Sequence, residues 1–271
     1  SWNCGPIQAG SIGFIAAAAG VGKSMFALGL ANAMSTGKAF AQWEVDRPQK
    51  VALFDVELST RYLQKRIACY TWNIDTIRLD WTDWRMENNV SPFLLGNHDH
   101  HQIIMQTCED VDVIIIDNVT FALEAVKPGE IYSAETWNRV SELTQWARTR
   151  EKTIIFIDHT NKAGQVAGAM NKTRSADWVI TLDGLSIPGT TPLEFELSFE
   201  KCRYEVDKGL TRDKIARFDG HNWEFLYMQT EAEQFAELKE DGKTMQEICE
   251  EMGIGKNKAT RLGKAWSMRG R

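Results

Sequence analysis

The sequence predicts an α/β fold: a mainly parallel central sheet with an antiparallel extension, followed by a small C-terminal helical domain. Three observations predict it. Apolar runs of strand length alternate with helical patterns as far as residue 157, the arrangement of βαβ units. From 179 to 227 strand signals follow one another without a helix between them. Beyond Thr230 the strand signal stops and charge becomes segregated. The chain therefore divides into residues 1–229 and 230–271.

Taken in order, residues 1–12 read as a lead-in with a turn at Gly10-Ser11. Gly13 to Ala16 is an apolar run suited to a buried strand, and Ala17 to Gly22 is a turn of small residues. A helical pattern starts at Lys23, carries Phe26, Leu30 and Met34, and ends near Gly37. Residues 38–49, polar and with Pro48, form a loop. Val51 to Phe54 is a second buried strand. Ser59 or Thr60 caps a helix with Tyr62, Leu63, Arg66 and Ile67. Residues 72–97 have no clear assignment, and a helix then runs to about Glu109. Val111 to Ile116 is the strongest strand signal. Ser133 opens a helix with Trp137, Val140, Leu143, Trp146 and Ala147 on one face. Thr153 to Ile157 is another strand, and the polar stretch Thr160 to Ser175 reads as a loop. Further strands fall at 179–182, 193–199, 215–218 and 223–227.

Composition narrows the function classes. With 43% hydrophobic and 25% charged residues, the chain has the makeup of an ordinary globular protein. Its net charge of −6 excludes a uniformly basic nucleic-acid binder, so any DNA contact needs a local patch. The five cysteines form no C-x-x-C pair, which excludes a zinc knuckle or a disulfide framework and suits the cytoplasm. No signal peptide and no apolar run of membrane length is present, so no membrane partner is expected. Trp72, Trp81 and Trp84 cluster; aromatic packing explains them better than base stacking.

The residues with chemistry sit at strand ends. Ala17 to Ser24 matches G-x-x-x-x-G-K-[ST] except that Ala17 replaces the first Gly. Strand, tight loop and helix N-terminus converge backbone N–H groups on phosphate. Ala19, Gly20, Val21, Gly22, Lys23, Ser24 and Met25 would bind the nucleotide, with Lys23 on the β- and γ-phosphates and the Ser24 hydroxyl on Mg²⁺. Asp117 ends the strand Ile114 to Ile116, where such a site supports the metal. Glu57, two residues after Asp55 on the same strand face, would orient the attacking water. Both acids also fit solvated loop positions. His159 ends a later strand, where a polar group adjoins the γ-phosphate; a satisfied structural histidine is the competing reading. Behind it, Lys162, Lys172 and Arg174 make the stretch Asn161 to Ser175 basic, suited to a phosphodiester backbone or to plain solvation. Lys201 and Arg203 share one side of a strand end. They fit charge stabilisation across a subunit boundary or a surface ion-pairing strand.

Residues 231–271 read as three helices, with Thr244 to Glu247 a capping box on the second. Ala232, Phe235 and Ala236, then Met245, Ile248, Cys249 and Met252, then Ala259, Leu262 and Trp266 are the expected inner positions. The last helix exposes Lys256, Lys258, Arg261 and Lys264. From Met252 to Arg271 there are six Lys or Arg and no acid, against eight acids from Glu231 to Glu251. This is a helix-turn-helix pattern with a DNA-facing side, or a helical unit for protein contacts.

Together these residues resemble the RecA-like P-loop ATPases of the RepA/DnaB replicative helicase group. The likeness spans about residues 5–228 and rests on Ala17 to Ser24, Glu57, Asp117, His159 and Lys201-Cys202-Arg203. It implies ATP and Mg²⁺ as ligands, and a homo-oligomeric, usually hexameric, ring around single-stranded DNA. Glu57 would activate water, and His159 would link nucleotide state to the DNA loop. Lys201 and Arg203 would act in trans. The expected function is an ATP-driven helicase or translocase of a plasmid, phage or mobile element, with duplex DNA contacted through the C-terminal unit. Two alternatives stand beside it: an ATPase that loads or remodels proteins on DNA, and a nucleotide-switched DNA-binding regulator.

Overall fold

A computed structural model describes residues 2–57, 60–73, 75–78, 95–124, 134–161, 163–167 and 169–269. Ser59, Trp81, Trp84, Ser133, Lys162 and Gly168 lie outside them. The chain forms two compact units, Ser1–Leu226 and Tyr227–Arg271.

In the first unit β1 (Asn3–Cys4) pairs antiparallel with β2 (Ile7–Gln8). This hairpin lies in the segment expected to be only a lead-in. The main sheet is built from β3 (Ile12–Ala17), β4 (Val51–Asp55), β5 (Ile77–Arg78), β6 (Val113–Asp117), β7 (Thr153–His159), β8 (Trp178–Gly184), β9 (Leu193–Cys202), β10 (Lys214–Phe218) and β11 (Trp223–Tyr227). Among the described residues its order is β11-β10-β9-β8-β3-β7-β6-β4-β5. The pairs from β8 through β5 are parallel. β9 runs antiparallel to both β8 and β10. This is the mainly parallel sheet with an antiparallel extension that the sequence predicts.

The parallel strands are continuous apolar runs because both of their faces are covered. Side chains alternate across the sheet. Ile15, Ile115, Ile155 and Ile157 enter one core with Phe26, Leu30 and Met34 of α1 (Lys23–Thr36). Ile12, Phe14, Ile114, Ile116 and Phe156 enter the other. There they meet Ile104 of α3 (His98–Thr107) and Trp137, Val140 and Leu143 of α5 (Ala134–Thr149). Between these come α2 (Thr60–Ile67) and α4 (Val119–Glu124). Trp72 donates to the Ile67 carbonyl at 2.9 Å and meets Tyr70 edge-on.

One assignment is corrected. Residues 160–175 are not all loop, since α6 (Ala169–Ser175) lies within them. Lys172, expected to meet DNA from a basic loop, is instead 1% exposed and pairs with the fully buried Asp158 at 2.8 Å. The charges of this helix hid its buried side.

The second unit holds α7 (Glu231–Glu240), α8 (Met245–Glu251) and α9 (Lys256–Arg269). Thr230 and Thr244 close capping boxes with Glu233 and Glu247. Phe235, Leu238, Ile248 and Ala259 form its core, with Leu262 and Cys249 packed against them. Met245 and Trp266, expected inward, are 36% and 38% exposed. The buried ring of Phe235, with Leu238, Ile248, Ala259 and the partly buried Cys249, Met252, Ile254 and Leu262, already fills so short a bundle.

Candidate nucleotide-binding site

Parallel strands converge their carboxyl ends, and open sheets of this kind bind ligands there. β3 delivers the turn Ala18 to Gly22, and Gly22 caps α1. Gly20 has φ 80° and Gly22 φ 117°, a region that side-chain-bearing residues rarely adopt. A Cβ on Gly20 would lie 2.7 Å from Pro188, and one on Gly22 would lie 2.9 Å from Leu193. Both positions therefore require glycine. Val21 turns its side chain into the core and offers only backbone.

The turn borders a cleft of about 410 Å³, within the range of small-molecule sites. Ala19, Gly20, Gly22, Lys23, Ser24 and Met25 line its floor. Asp55, Glu57, Asp117 and His159 come from the ends of β4, β6 and β7. The fold thus brings these residues, distant in sequence, to one cleft.

Burial lowers the proton affinity of Lys23, while Asp117, Glu57 and Asp158 counter it. Its ammonium stands 3.4 Å from Nδ1 of His159. Burial, then the neighbouring Asp55, push the Asp117 carboxyl up to about 6; the Ser24 hydroxyl bond and Lys23 act against this. Asp117 Oδ1 is buried without a hydrogen-bond partner. Such an atom calls for an unseen ligand. Among the described residues no three His, Cys, Asp or Glu form a metal cage. Ser24 and Asp117 instead fit a hydrated divalent cation arriving with phosphate oxygens, the usual habit of Mg²⁺.

Glu57 is held at three points. Val56 N–H donates to the Asp117 carbonyl at 2.7 Å, and Glu57 N–H donates to Asp55 Oδ1 at 3.1 Å. The Asn118 side-chain amide donates to Glu57 Oε2.

The matching stretch of the chain is long. Residues 1–165 match the sequence profile of the AAA domain family. The chain belongs to the AAA domain family. No curated protein matches the sequence. Among solved structures, the KaiC-like protein PH0186 of the hyperthermophilic archaeon Pyrococcus horikoshii OT3 is similar, with a TM-score of 0.55 and 12% identity. The similarity covers 80% of this chain and 90% of that one. At that identity it carries the fold alone, a RecA-like architecture. Family, fold and cleft together make this AAA domain a P-loop ATPase.

Other cleft residues had no role in the sequence reading. Lys65, Arg66 and Cys69 line it from α2 and the turn after it. Thr190, Thr191, Leu193 and Phe218 line it from the antiparallel extension. The turn between β8 and β9 reaches the phosphate loop, where Gly189 N–H donates to the Gly20 carbonyl at 3.3 Å. Tyr70 fastens the α2 side by donating to the Met25 carbonyl at 3.2 Å and accepting from Trp223 at 2.8 Å. Pro188-Gly189 and Thr191-Pro192 announce a turn, but nothing local says that it folds over Gly20.

Lys201 and Arg203 lie elsewhere in this chain. Lys201 pairs in register with Val179, near the amino end of β8, whereas the cleft lies at the carboxyl ends. Lys201 donates to the Thr173 carbonyl at 2.5 Å, and Arg203 to the Arg174 carbonyl. Arg203 also stands 3.7 Å from Asp177. They do not reach their own Lys23. Arg174, Lys256, Lys258, Arg261 and Lys264 are exposed, with Lys258 paired to Glu231 at 2.5 Å. Among the described residues no helix is long and apolar enough to cross a membrane.

Proposed function

We propose that this ATPase hydrolyses Mg·ATP and uses the cycle for movement on DNA, as a helicase or translocase. The observation that carries the reading is the convergence of Glu57, Asp117 and His159 on the Lys23 turn. A γ-phosphate cradled at Lys23 leaves Glu57 on the water side. Water oxygen bonds to the γ-phosphorus while the bond from that phosphorus to the β–γ bridging oxygen breaks. Glu57 orients the water and takes up its proton, and the products are ADP and phosphate. The cation, held by Ser24 and the phosphates with Asp117 behind it, would neutralise charge on the departing oxygens. Positioning and charge stabilisation account for the catalysis.

DNA contact is assigned to the exposed cations of α9 and to Arg174 and Lys162. Lys201 and Arg203, away from their own cleft, are assigned to the cleft of a neighbouring copy in a ring. Mixing Arg203→Ala protein with Lys23→Ala protein tests this, because shared sites restore part of the activity and a strictly monomeric enzyme gains none.

A second reading, an ATPase that loads or remodels proteins on DNA, is favoured by one observation. Lys172 is committed to Asp158, which leaves fewer cations to grip a strand. A forked-duplex assay separates the two. Unwinding driven by ATP supports the motor; hydrolysis stimulated by single strands without unwinding supports the remodeller.

A further inference from the structure

We infer that Asn118 is the positioning residue for Glu57. This rests on Glu57 being the water-orienting carboxylate proposed above. Glu57 is exposed on the cleft wall just past the end of β4, where a glutamate has several rotamers open to it. Backbone bonds from Val56 and Glu57 fix the main chain but leave the carboxylate free to swing. Asn118 supplies the missing restraint. A carboxylate only accepts hydrogen bonds, so the amide nitrogen is the group that faces Glu57 Oε2.

The donor stands on rigid ground. Asn118 is 2% exposed, follows β6 directly, and accepts through its carbonyl from Ala122 N–H at 3.1 Å in the first turn of α4. One oxygen of Glu57 is thereby engaged and Oε1 is left for water. The residue type suits the place. A Lys or Arg would pair with the base and quench it, and an acid would repel it beside Asp55 and Asp117. A neutral amide orients the base without adding charge. Because Asn118 is bonded to Asp117, the metal side and the water side of the reaction share one frame.

The test is a double-mutant cycle on the full chain with Mg·ATP: the unaltered protein, Glu57→Gln, Asn118→Ala and the combined variant, with Asn118→Asp as a size-matched control. Glu57→Gln is expected to lower kcat about a hundredfold or more, to a residual rate that single-turnover hydrolysis still reads, and to keep nucleotide binding; a kcat within about tenfold of the unaltered protein overturns the reading of Glu57 itself. With that reading standing, Asn118→Ala is expected to lower kcat by about tenfold or more while the calorimetric Kd for nucleotide stays within about twofold. Asn118→Asp is expected to lower kcat at least as far. In the Glu57→Gln background Asn118→Ala is expected to add no further loss. An unchanged kcat, an additive loss in the combined variant, or loss of nucleotide binding in step with kcat in both Asn118 variants overturns the inference. The last outcome would assign Asn118 to the scaffold alone.

Discussion

Lys23 and His159 meet across the carboxyl edge of the sheet, Nζ to Nδ1 at 3.4 Å. An ammonium has no lone pair, so Nδ1 is the acceptor in this contact. Lys23 therefore has His159 as a partner before nucleotide arrives. Phosphate, a charged acceptor, competes better for the ammonium and releases the ring. His159 sits one residue before Thr160, whose N–H donates to the Ala17 carbonyl at 3.2 Å at the head of the phosphate loop. Replacing His159 by Ala is expected to keep Mg·ATP affinity within about threefold and to lower kcat by roughly tenfold. Calorimetry and steady-state hydrolysis check the two halves separately.

Asp117 gives a pH signature. Its carboxyl is pushed up to about 6 by burial, above the ordinary value of 3.8. The folded apo protein therefore holds this proton more tightly than the unfolded chain does. Stability from this group is complete below about pH 4 and is lost as pH rises through 6. Cation binding needs the ionised form, so kcat/KM for Mg·ATP is expected to fall on acidification through about pH 6. Asp117→Asn is expected to abolish Mg²⁺-dependent turnover yet raise apo stability at neutral pH by about 1–3 kcal/mol. Denaturant titrations at pH 4 and pH 7 read the difference, which should vanish at the lower pH.

Arg66 is a cleft cation placed to meet phosphate charge. It lines the cleft, and its field lowers the proton affinity of both Lys23 and Asp117. Among the described residues no carboxylate forms an ion pair with it. Arg66→Ala is expected to weaken ATP binding by about tenfold, as loss of one charge-assisted contact does. AMP, which lacks the β- and γ-phosphates, should bind equally to both proteins. The same change removes a field that keeps Asp117 ionised, so the acid limb of kcat/KM should move upward.

The legible parts of this fold were those written in local pattern. Ile114 to Ile116 announced a strand buried on both faces, and Gly20-Val21-Gly22-Lys23-Ser24 announced its own chemistry. Contacts between distant segments carry no such local signal. Asn118 reads as an ordinary residue after a strand until β4 and β6 lie side by side and Glu57 comes within reach. Phe218 and Thr191 join the site only because β9 folds back along β8 and β10 along β9. Arg66 was visible as a helix residue, but its direction depends on how Tyr70 fastens α2 to α1. The hairpin β1–β2 is only two residues per strand, too short for periodicity to reveal.

Lys172 shows why a charge in sequence does not establish a charge on the surface. Its ammonium lies 2.8 Å from Asp158 Oδ2, and both side chains are almost wholly enclosed. Asp158 Oδ1 accepts from Thr120 and from His159 N–H, each at 2.8 Å. Removing the lysine leaves the carboxylate with two weaker partners in a dry environment. Lys172→Met is expected to destabilise the ATPase unit by about 3–5 kcal/mol, read from the denaturation midpoint. Exposed Arg174, changed to Ala, should shift stability by no more than about 0.5 kcal/mol. If single-stranded DNA grips this segment, Arg174→Ala should flatten the salt dependence of DNA-stimulated hydrolysis by roughly one ion. A Lys172→Met protein of unaltered stability and reduced DNA response would return Lys172 to the surface role that its burial excludes.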